Sequence, residues 1–340
     1  MTDYTPGNIL VTGGAGFIGC NYVRYMLAND PDVKIINIDK LTYAGSLDNL
    51  NELPDESRHT FVQGDICDRA LIDQLLREYK IDTIVHFAAE SHVDNSISEP
   101  EIFVQTNVMG TFTLLEAARQ YWMNRSEGDV QSSYRFHHIS TDEVYGTLSK
   151  DDPAFSEDTP YAPNSPYSAS KAGSDHLVRA YFHTYGLPVT TTNCSNNYGP
   201  YQHNEKLIPT IIRNCVNQTP IPVYGDGSNI RDWLYVEDHC SGIDTVIRRG
   251  KLGETYNIGG INEWANIDIV RCICSIMDEH CASHTTHTSL ITFVTDRLGH
   301  DWRYAIDASK VEQAMAWQPA ETFATGIRKT VAWYLKDKKV

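Results

Sequence analysis

A tyrosine and a lysine are spaced so that together they could oxidise an alcohol. Tyr167 and Lys171 form a YxxxK pair, and residues four apart share one face of a helix, so the ammonium can lie near the phenol. A nearby cation stabilises phenolate and lowers the pKa of the tyrosine, which can then take a proton from a sugar hydroxyl as hydride leaves the same carbon. Because YxxxK arises easily by chance, a surface Tyr–Lys pair is the alternative for this pattern alone.

A hydroxyl and two acids precede that pair. Thr141 lies 26 residues before Tyr167, at the end of a predicted strand, and Asp142 and Glu143 follow it directly. A simple dehydrogenase needs one hydroxyl here, whereas two carboxylates beside a transferring hydride indicate an added elimination step. Two close carboxylates disfavour double ionisation, which can keep one acid protonated while the other is ionised. Ordinary loop charges or a helix cap are the alternative.

Glycines near the N-terminus predict a dinucleotide site. Gly13, Gly16 and Gly19 form a GxxGxxG turn between the first predicted strand and the first predicted helix. Such a turn lets the backbone approach a pyrophosphate, which the N–H groups of the helix N-terminus then bind. Asp39 ends the second predicted strand twenty residues beyond Gly19, where a carboxylate accepts ribose hydroxyls and favours NAD over NADP. Lys40 could tolerate a phosphate, and a solvated turn is the alternative for Asp39.

The elements that position these residues alternate between strand and helix, which indicates a doubly wound parallel sheet. After residue 195 the pattern loosens, so we expect a Rossmann-type α/β domain at 1–195 and a smaller α/β substrate-binding lobe at 196–340, with an interleaved boundary. Strands are predicted at 9–12, 34–38, 60–62, 83–87, 136–140 and 189–193, and helices at 17–29, 70–79, 102–121, 167–185, 267–279, 309–315 and 325–336.

Composition excludes several classes of protein. The 340 residues carry 28 basic and 44 acidic side chains, a net charge of −16, which argues against a general nucleic-acid binder. The sequence has no run of about 18 apolar residues, as a membrane span would need. The N-terminus lacks the pattern of a secretion signal, so we expect a cytoplasmic protein. The eight scattered cysteines are then expected to be thiols.

One cluster of possible metal ligands stands near the C-terminal third. His280, Cys281, His284 and His287 fall within eight positions. Their spacing matches no zinc pattern, and no second ligand pair flanks them at a regular distance. We therefore expect a polar surface loop and no metal.

These patterns together resemble the extended short-chain dehydrogenase/reductase family over nearly the whole chain. The stretch HISTDEVYG at 138–146 resembles the signature of its dTDP-glucose 4,6-dehydratases, as do the blocks at 39–45, 88–94, 192–200 and 231–239. The resemblance implies that Tyr167 takes the C4 hydroxyl proton, helped by Lys171, and that Thr141 donates to the C4 oxygen. Glu143 would remove the C5 proton and Asp142 would protonate the departing C6 hydroxyl.

The resemblance also implies the binding residues. Arg231 and Arg297 would clamp the diphosphate, since guanidinium matches phosphate in a bidentate way. Further substrate contacts are expected from Ser91, Thr141, Asn196, Lys206, Leu207, Pro222, Tyr224, Asn266, Asp296 and His300. Further NAD contacts are expected from Phe17, Ile18, Lys40, Thr42, Asp65, Ile66, Phe87, Ala88, Ala89, Ser91, Thr106, Tyr167, Lys171 and Asn197.

Some positions depart from the family pattern, and other functions stay open. Asn95 and Leu298 stand where arginine and proline are common, Trp302 replaces an arginine, and Trp264 and Ala265 precede Asn266. An NDP-sugar 4-epimerase would share the glycines, Tyr167 and Lys171. A dehydratase of another NDP-hexose would share the acids as well, and a non-enzymatic NAD sensor would leave them idle. The family also implies a homodimer joined through 102–121 and 167–185.

Overall fold

The computed structural model describes residues 3–124, 130–280, 286–296 and 301–336. Cys281, His284, Arg297, Leu298 and His300, which the sequence analysis singled out, lie outside the described residues.

A parallel sheet organises the described chain. Seven strands run in the order β3-β2-β1-β4-β5-β6-β10, and all neighbouring pairs are parallel. This confirms the predicted doubly wound α/β sheet. The strands are β1 (Asn8–Thr12), β2 (Lys34–Asp39), β3 (His59–Gln63), β4 (Thr83–His86), β5 (Arg135–Thr141), β6 (Val189–Cys194), β7 (Asn196–Tyr198), β8 (Ile221–Tyr224), β9 (Ile230–Tyr235), β10 (Thr255–Ile258), β11 (Glu263–Ala265) and β12 (Ile291–Val294).

Helices connect and cover the strands. Within the described ranges no helix combines the length and apolar character needed to span a membrane. The α-helices are α1 (Phe17–Asn29), α2 (Arg69–Glu78), α3 (Val93–Ser98), α4 (Pro100–Phe103), α5 (Thr111–Met123), α6 (Val130–Ser133), α7 (Pro166–Tyr185), α8 (Leu207–Asn217), α9 (Val236–Arg249), α10 (Asn266–His280), α11 (Ser309–Met315) and α12 (Phe323–Lys336), with a π-helical segment at Val104–Gly110 and 3₁₀ turns at Leu47–Leu50, Glu56–Arg58, Asp142–Tyr145 and His287–Leu290.

Side chains alternate along each strand, so neighbouring residues face opposite sides of the sheet. Helices bury both sides. In β1, Leu10 faces a core that it shares with α2, α5 and α7. Its neighbours Ile9 and Val11 face the other core, which is formed with α1 and α9. Continuous apolar strands such as β1 are typical of parallel sheets covered by helices on both sides. The GxxGxxG turn that follows β1 therefore leaves a strand that is covered by helices on both faces.

The remaining strands form two small sheets, ordered β11-β9-β7 and β12-β8. Together with α8, α10 and α12 they enclose a separate core that includes Ile211, Trp233, Ile273 and Phe323. Two later elements nevertheless belong to the large sheet. β10 pairs with β6, and α9 packs on α1. The strand at Thr255–Ile258 was not predicted, because four residues are too few for a periodic signal.

The predicted single helix at 102–121 is wrong in one respect. A π-helical segment at Val104–Gly110 separates α4 from α5. Inside it the side chain of Asn107 accepts from the Glu90 N–H at 2.8 Å and donates to the Glu90 carbonyl at 3.0 Å and to Ser170 Oγ at 2.8 Å. The wider turn is thus tied to the loop after β4 and to α7. Local π segments inside helices are frequent at functional sites.

Ile261 is strained in the loop between β10 and β11. Its φ is +56° and 68% of its surface is exposed, while Asp232 fixes the loop by accepting from the N–H groups of Gly260 and Asn262 at 3.0 and 2.6 Å. A β-branched residue in this left-handed conformation costs about 1–2 kcal/mol.

We therefore expect Ile261→Asn to stabilise the fold by about 1 kcal/mol, because asparagine tolerates this conformation. Thermal unfolding measures the effect as a higher melting temperature. Ile261→Val keeps the β-branch and should melt like the wild type. An Asn variant that melts at or below the wild-type temperature would contradict the strain.

Candidate active site

The cofactor turn lies between β1 and α1. Gly13 has a φ of +73°, and a Cβ atom there would lie 2.7 Å from the backbone of Ala88. At Gly19 a Cβ atom would lie 2.3 Å from the Gly13 carbonyl oxygen, so this position admits only glycine. Gly16 caps α1 without a side-chain hydrogen bond, so the first N–H groups of the helix are left for an anion. This turn fits the pyrophosphate of a dinucleotide.

Asp39 ends β2 beside the turn. One carboxylate oxygen accepts from the Ala15 N–H at 2.9 Å and the other from the Leu41 N–H at 2.8 Å. These bonds fix the carboxylate at the cavity wall, where it can still accept from ribose hydroxyls. Lys40 pairs with Asp65 at 2.8 Å. Burial raises the pKa of Asp65, but the hydrogen bonds from Lys40 and Cys67 and the charge of Lys40 together outweigh it, and the pKa is lowered. Asp65 therefore offsets the cation that could have attracted a 2′-phosphate.

Thr141 ends β5 and caps the 3₁₀ turn at Asp142–Tyr145. Its Oγ1 accepts from the Glu143 N–H at 3.3 Å and donates to Asp142 Oδ1 at 3.3 Å. The cap of this turn is therefore Thr141, which leaves the two carboxylates free of the capping role that was their alternative interpretation. Both carboxylates line the same cavity as the cofactor turn.

Asp142 is a buried acid with 2% of its surface exposed. Burial raises its pKa well above the usual value, and the charges of Glu143 and Asp232 add to the rise, although Arg231 opposes it. Burial therefore favours the protonated form of Asp142. Its Oδ2 is buried and has no hydrogen-bond partner among the described residues, which also favours the protonated acid over an unpaired charge.

Tyr167 and Lys171 stand in the first turns of α7. Ser165 starts this helix with a capping box and Pro166 occupies its first turn, which places Tyr167 and Lys171 at the cavity. The ammonium of Lys171 donates to the Ile139 carbonyl at 2.8 Å. Burial, followed by the charge of Glu143, raises the pKa of Tyr167, so the lowering that the sequence analysis expected from Lys171 is wrong for this arrangement of side chains. Burial lowers the pKa of Lys171, with the charge of Asp175 opposing.

One cavity collects all the residues predicted to be catalytic or to bind the cofactor. Of the further residues predicted for the substrate, it also includes Asn196 and Lys206. Its predicted members are Gly13, Gly16, Phe17, Ile18, Gly19, Asp39, Lys40, Thr42, Asp65, Ile66, Phe87, Ala88, Ala89, Ser91, Thr106, Thr141, Asp142, Glu143, Tyr167, Lys171, Asn196, Asn197 and Lys206.

The other predicted substrate residues do not line that cavity. Pro222 and Tyr224 lie on the exposed side of β8, and Asp296 follows β12, which pairs with β8. A Cβ atom on Gly225 would lie 3.3 Å from the Asp296 carboxylate, so these residues gather at one end of the small sheet. Leu207 and Asn266 begin α8 and α10.

Arg231 is buried in β9 and bonded to backbone. Its guanidinium donates to the carbonyls of Ile230 at 2.7 Å and of Asp301 at 2.9 Å, and lies 4.4 Å from the centre of the Tyr304 ring. The charge of Arg231 opposes the rise in the pKa of Asp142, which places the guanidinium beside the reacting end of the cavity. Its role as a phosphate clamp stays a prediction.

Several residues of the cavity were not predicted as site residues. Tyr43 and His203 meet edge to face at 5.7 Å between ring centres, which joins the loop after β2 to the loop before α8. Cys194, Ser195 and Gln202 also line the cavity. The blocks at 39–45 and 192–200 carried part of this signal, but nothing in the spacing distinguishes a lining side chain from its neighbours.

Comparison with known proteins agrees with this geometry. Residues 10–330 match the family model described as GDP-mannose 4,6 dehydratase. The chain is 56% identical over 334 residues to dTDP-glucose 4,6-dehydratase of Neisseria meningitidis serogroup B, covering 97% of this chain and 94% of the relative. It is 54% identical over 339 residues to dTDP-glucose 4,6-dehydratase 1 of Escherichia coli K12, covering 97% of this chain and 93% of the relative.

This chain belongs to the dTDP-glucose 4,6-dehydratase family. The crystal structure of a dTDP-glucose 4,6-dehydratase from Bacillus anthracis in complex with NAD matches with a TM-score of 0.87 and 46% identity, covering 98% of each chain. The family assignment confirms the resemblance seen in the sequence. It accounts for the presence, in one cavity, of a dinucleotide turn, a Tyr–Lys pair and two adjacent acids.

Proposed function

We propose that this enzyme converts dTDP-glucose to dTDP-4-keto-6-deoxyglucose with NAD as its cofactor. The observation that carries the proposal is the placement of Asp142 and Glu143 in the cavity of Tyr167 and Lys171. Relatives at 54–56% identity are named as dehydratases of this substrate, and the Bacillus anthracis relative was crystallised with NAD. The reaction is a hydro-lyase reaction, because water is lost without net oxidation.

The cofactor site is proposed at the turn formed by Gly13, Gly16 and Gly19. The N-terminus of α1 would bind the pyrophosphate, and Asp39 would accept from the adenosine ribose. When bound, NAD supplies a two-electron acceptor that takes hydrogen from C4 and gives it back at C6. Because Asp39 repels a 2′-phosphate and Asp65 offsets Lys40, we propose NAD over NADP.

Different side chains of the cavity carry out the different proton transfers. Tyr167 takes the proton of the C4 hydroxyl, and Thr141 donates to the C4 oxygen. The new ketone acidifies the C5 proton, which Glu143 removes. When hydrogen returns to C6 after water has left, a proton goes back to C5. Asp142, whose protonated form is favoured because burial raises its pKa, protonates the C6 hydroxyl as it leaves. Two neighbouring carboxyl groups can hold different protonation states because their charges repel each other.

The sugar nucleotide is proposed to extend from this cavity towards the small sheet. Asn196 and Lys206 line the cavity, where they would hold the sugar and the diphosphate. Tyr224 and Asp296 lie farther along, at β8 and β12, where they would hold the base. A net charge of −16 requires local cations for a diphosphate, and Arg231 and Lys206 are the described residues proposed for that role.

Two related functions differ from this proposal in one property each. An NDP-sugar 4-epimerase needs Tyr167 and Lys171 but not Asp142 and Glu143. A dehydratase of another NDP-hexose would differ in the base pocket. The test supplies dTDP-, UDP-, GDP- and CDP-glucose in parallel without added NAD and follows products by mass spectrometry. The highest kcat/KM on dTDP-glucose, with loss of one water, supports the proposal, and an isomeric product or preference for another base contradicts it.

We also propose a homodimer joined through α5, α7 and the π-helical segment at Val104–Gly110. Apolar side chains are exposed along this face: 53% of the surface of Val104 and 40% of that of Phe112 are accessible. Met109 and Tyr185 are also exposed there. Apolar faces of this kind mark interaction surfaces. Thr106 of the same segment lines the cofactor cavity, so the proposed interface lies directly behind the active site.

Phe112→Glu is therefore expected to convert the dimer to a monomer, because a charge would be buried at the interface. Size-exclusion chromatography with light scattering measures the mass. Val216→Glu, at another exposed apolar position of similar accessibility, should leave the mass unchanged. A wild-type protein that is monomeric, or a Phe112→Glu variant that stays dimeric, would contradict the proposed face.

A cytoplasmic location is proposed on the state of the thiols. No disulfide joins any of the seven cysteines in the described part of the chain, as is usual in a reducing compartment.

A further inference from the structure

A buried carboxylate, Asp175, lies behind the catalytic pair and has no part in the proposed reaction. Asp175 follows Lys171 by four residues on α7, so the two share one helix face. Its side chain points to β5 and is almost fully buried. A charge so deep in a fold costs several kcal/mol unless it is well paired, so its surroundings are informative.

Three donors hold both oxygens of this carboxylate. His138 and Ser140 are two residues apart on β5 and therefore point to the same side of the strand. His138 Nε2 lies 3.0 Å from Oδ1, and Ser140 Oγ donates to Oδ2 at 2.7 Å. The hydroxyl of Tyr161 donates to Oδ2 at 3.0 Å. Burial raises the pKa of Asp175, but the hydrogen bonds from His138 and Ser140 and the charge of Lys171 act against burial and the pKa is lowered, so the group is an anion.

The cation that balances this anion is not His138. Among the described residues, His138 is the basic side chain whose nitrogen lies within 4.0 Å of the Asp175 carboxylate. Its other ring nitrogen, Nδ1, is buried and has no hydrogen-bond partner among the described residues. A charged imidazole would therefore bury an unpaired N–H group, which is costly. Burial, with the charge of Lys171, also lowers the pKa of His138. His138 is thus neutral and donates from Nε2.

With His138 neutral, Lys171 is the described cation near the Asp175 carboxylate. Its ammonium donates to the carbonyl of Ile139 at 2.8 Å, the residue between the two β5 donors of Asp175. Burial lowers the pKa of Lys171, and the charge of Asp175 acts against that fall. Without a neighbouring anion, burial alone can lower the pKa of a lysine by several units.

The other titratable groups around Lys171 and Asp175 are neutral at neutral pH. Burial lowers the pKa of His86 on β4. Burial raises the pKa of Cys194 on β6 to about 12 and raises those of Tyr145 and Tyr161. Tyr167 has a pKa raised by burial and by Glu143. Among these described residues, Asp175 is therefore the anion whose charge opposes the fall in the pKa of Lys171.

We propose that Asp175 is a positioning residue: its charge keeps the buried Lys171 protonated and so sets the pH range in which Tyr167 can accept the C4 proton. This inference rests on the proposed function for its kinetic consequence. The titration of Lys171, in contrast, is a property of the protein alone.

The direction in which the pH profile of kcat shifts in Asp175→Asn depends on how Tyr167 and Lys171 share their protons. After losing one proton, the pair is either phenolate with ammonium, which is active, or phenol with amine, which is inactive. Asp175 is four residues from Lys171 and eight from Tyr167, so its charge favours the active form. Asp175→Asn should therefore move the acidic limb of the kcat profile to lower pH and also lower the plateau.

The first test titrates Lys171 by NMR in protein labelled with ¹³C-lysine, with the resonance assigned by its loss in Lys171→Met. In Asp175→Asn the pKa of Lys171 should fall by about one unit or more, given a charge roughly one helical turn away. Asp175→Glu should restore it. Tyr161→Phe removes a hydrogen bond from the same carboxylate but keeps the charge, so it should titrate near the wild type.

An unchanged Lys171 titration in Asp175→Asn, or an equal shift in Tyr161→Phe, overturns the proposal. Asp175→Ser supplies a second neutral variant if the asparagine form does not fold. In kinetics, Asp175→Asn should lower kcat on dTDP-glucose by about tenfold or more with little change in KM, together with the shifted limb. A lower plateau with an unmoved limb would show a merely structural role. Absence of turnover by the wild type would sink the proposed function and leave the titration test intact.

Discussion

Glu143→Gln is expected to lower the rate of water loss from dTDP-glucose by about 10²–10⁴-fold, the usual contribution of a positioned general base. Glutamine keeps the size of the side chain but cannot take the C5 proton. The charge of Glu143 is among the causes that raise the pKa of Tyr167. Removing that charge lowers the pKa of Tyr167, so oxidation at C4 should continue and its pH profile should move to lower pH.

Two measurements check this variant. Mass spectrometry of substrate recovered from D₂O follows exchange at C5, which should be suppressed. Near-ultraviolet absorbance follows the reduced nicotinamide, which should accumulate to a higher level than in the wild type. Rapid C5 exchange in the variant would remove Glu143 from the role of base, and loss of C4 oxidation would place Glu143 in the first step instead.

Asp142→Asn should also slow water loss by about 10²–10⁴-fold, for a different reason. Burial raises the pKa of Asp142 well above its usual value, so the protonated form is favoured in the wild type. Asparagine has almost the same shape but cannot give a proton to the C6 hydroxyl. Oxidation at C4 by Tyr167 should continue in this variant as well.

A substrate with fluorine at C6 separates the two acids. Fluoride leaves without protonation, so this analogue should restore elimination in Asp142→Asn to near the wild-type rate. It should not restore elimination in Glu143→Gln, because the C5 proton must still be removed. Release of fluoride is measured with an ion-selective electrode. Equal rescue of both variants, or of neither, would contradict the division of roles between Asp142 and Glu143.

The large sheet could be predicted from the sequence because its strands are short apolar runs separated by helices. The first helix was predicted with the bounds that α1 has, since the glycine turn marks its start. The uninterrupted helix at 102–121 was wrong because its π-helical segment depends on Asn107 bonding to the distant Glu90 and Ser170. Contacts between residues so far apart in the chain leave no local periodicity.

In the candidate site, too, contacts between residues that are distant in the chain could not be predicted. Residue types and spacing indicated Thr141, Asp142, Glu143, Tyr167 and Lys171, because each reacting group must have a particular chemistry. The support behind them was not predicted. Spacing cannot show that a buried carboxylate lies beneath the lysine, or that the guanidinium of a predicted phosphate clamp donates to backbone carbonyls.

The most direct test of the whole account follows one hydrogen atom. The purified protein is given dTDP-glucose deuterated at C4, without added NAD, and the product is analysed by NMR and mass spectrometry. The account predicts a 4-keto-6-deoxy product that has lost one water and carries the deuterium at C6. Deuterium found at C4 of an isomer of unchanged mass, or a dehydrated product with no deuterium at C6, would contradict it.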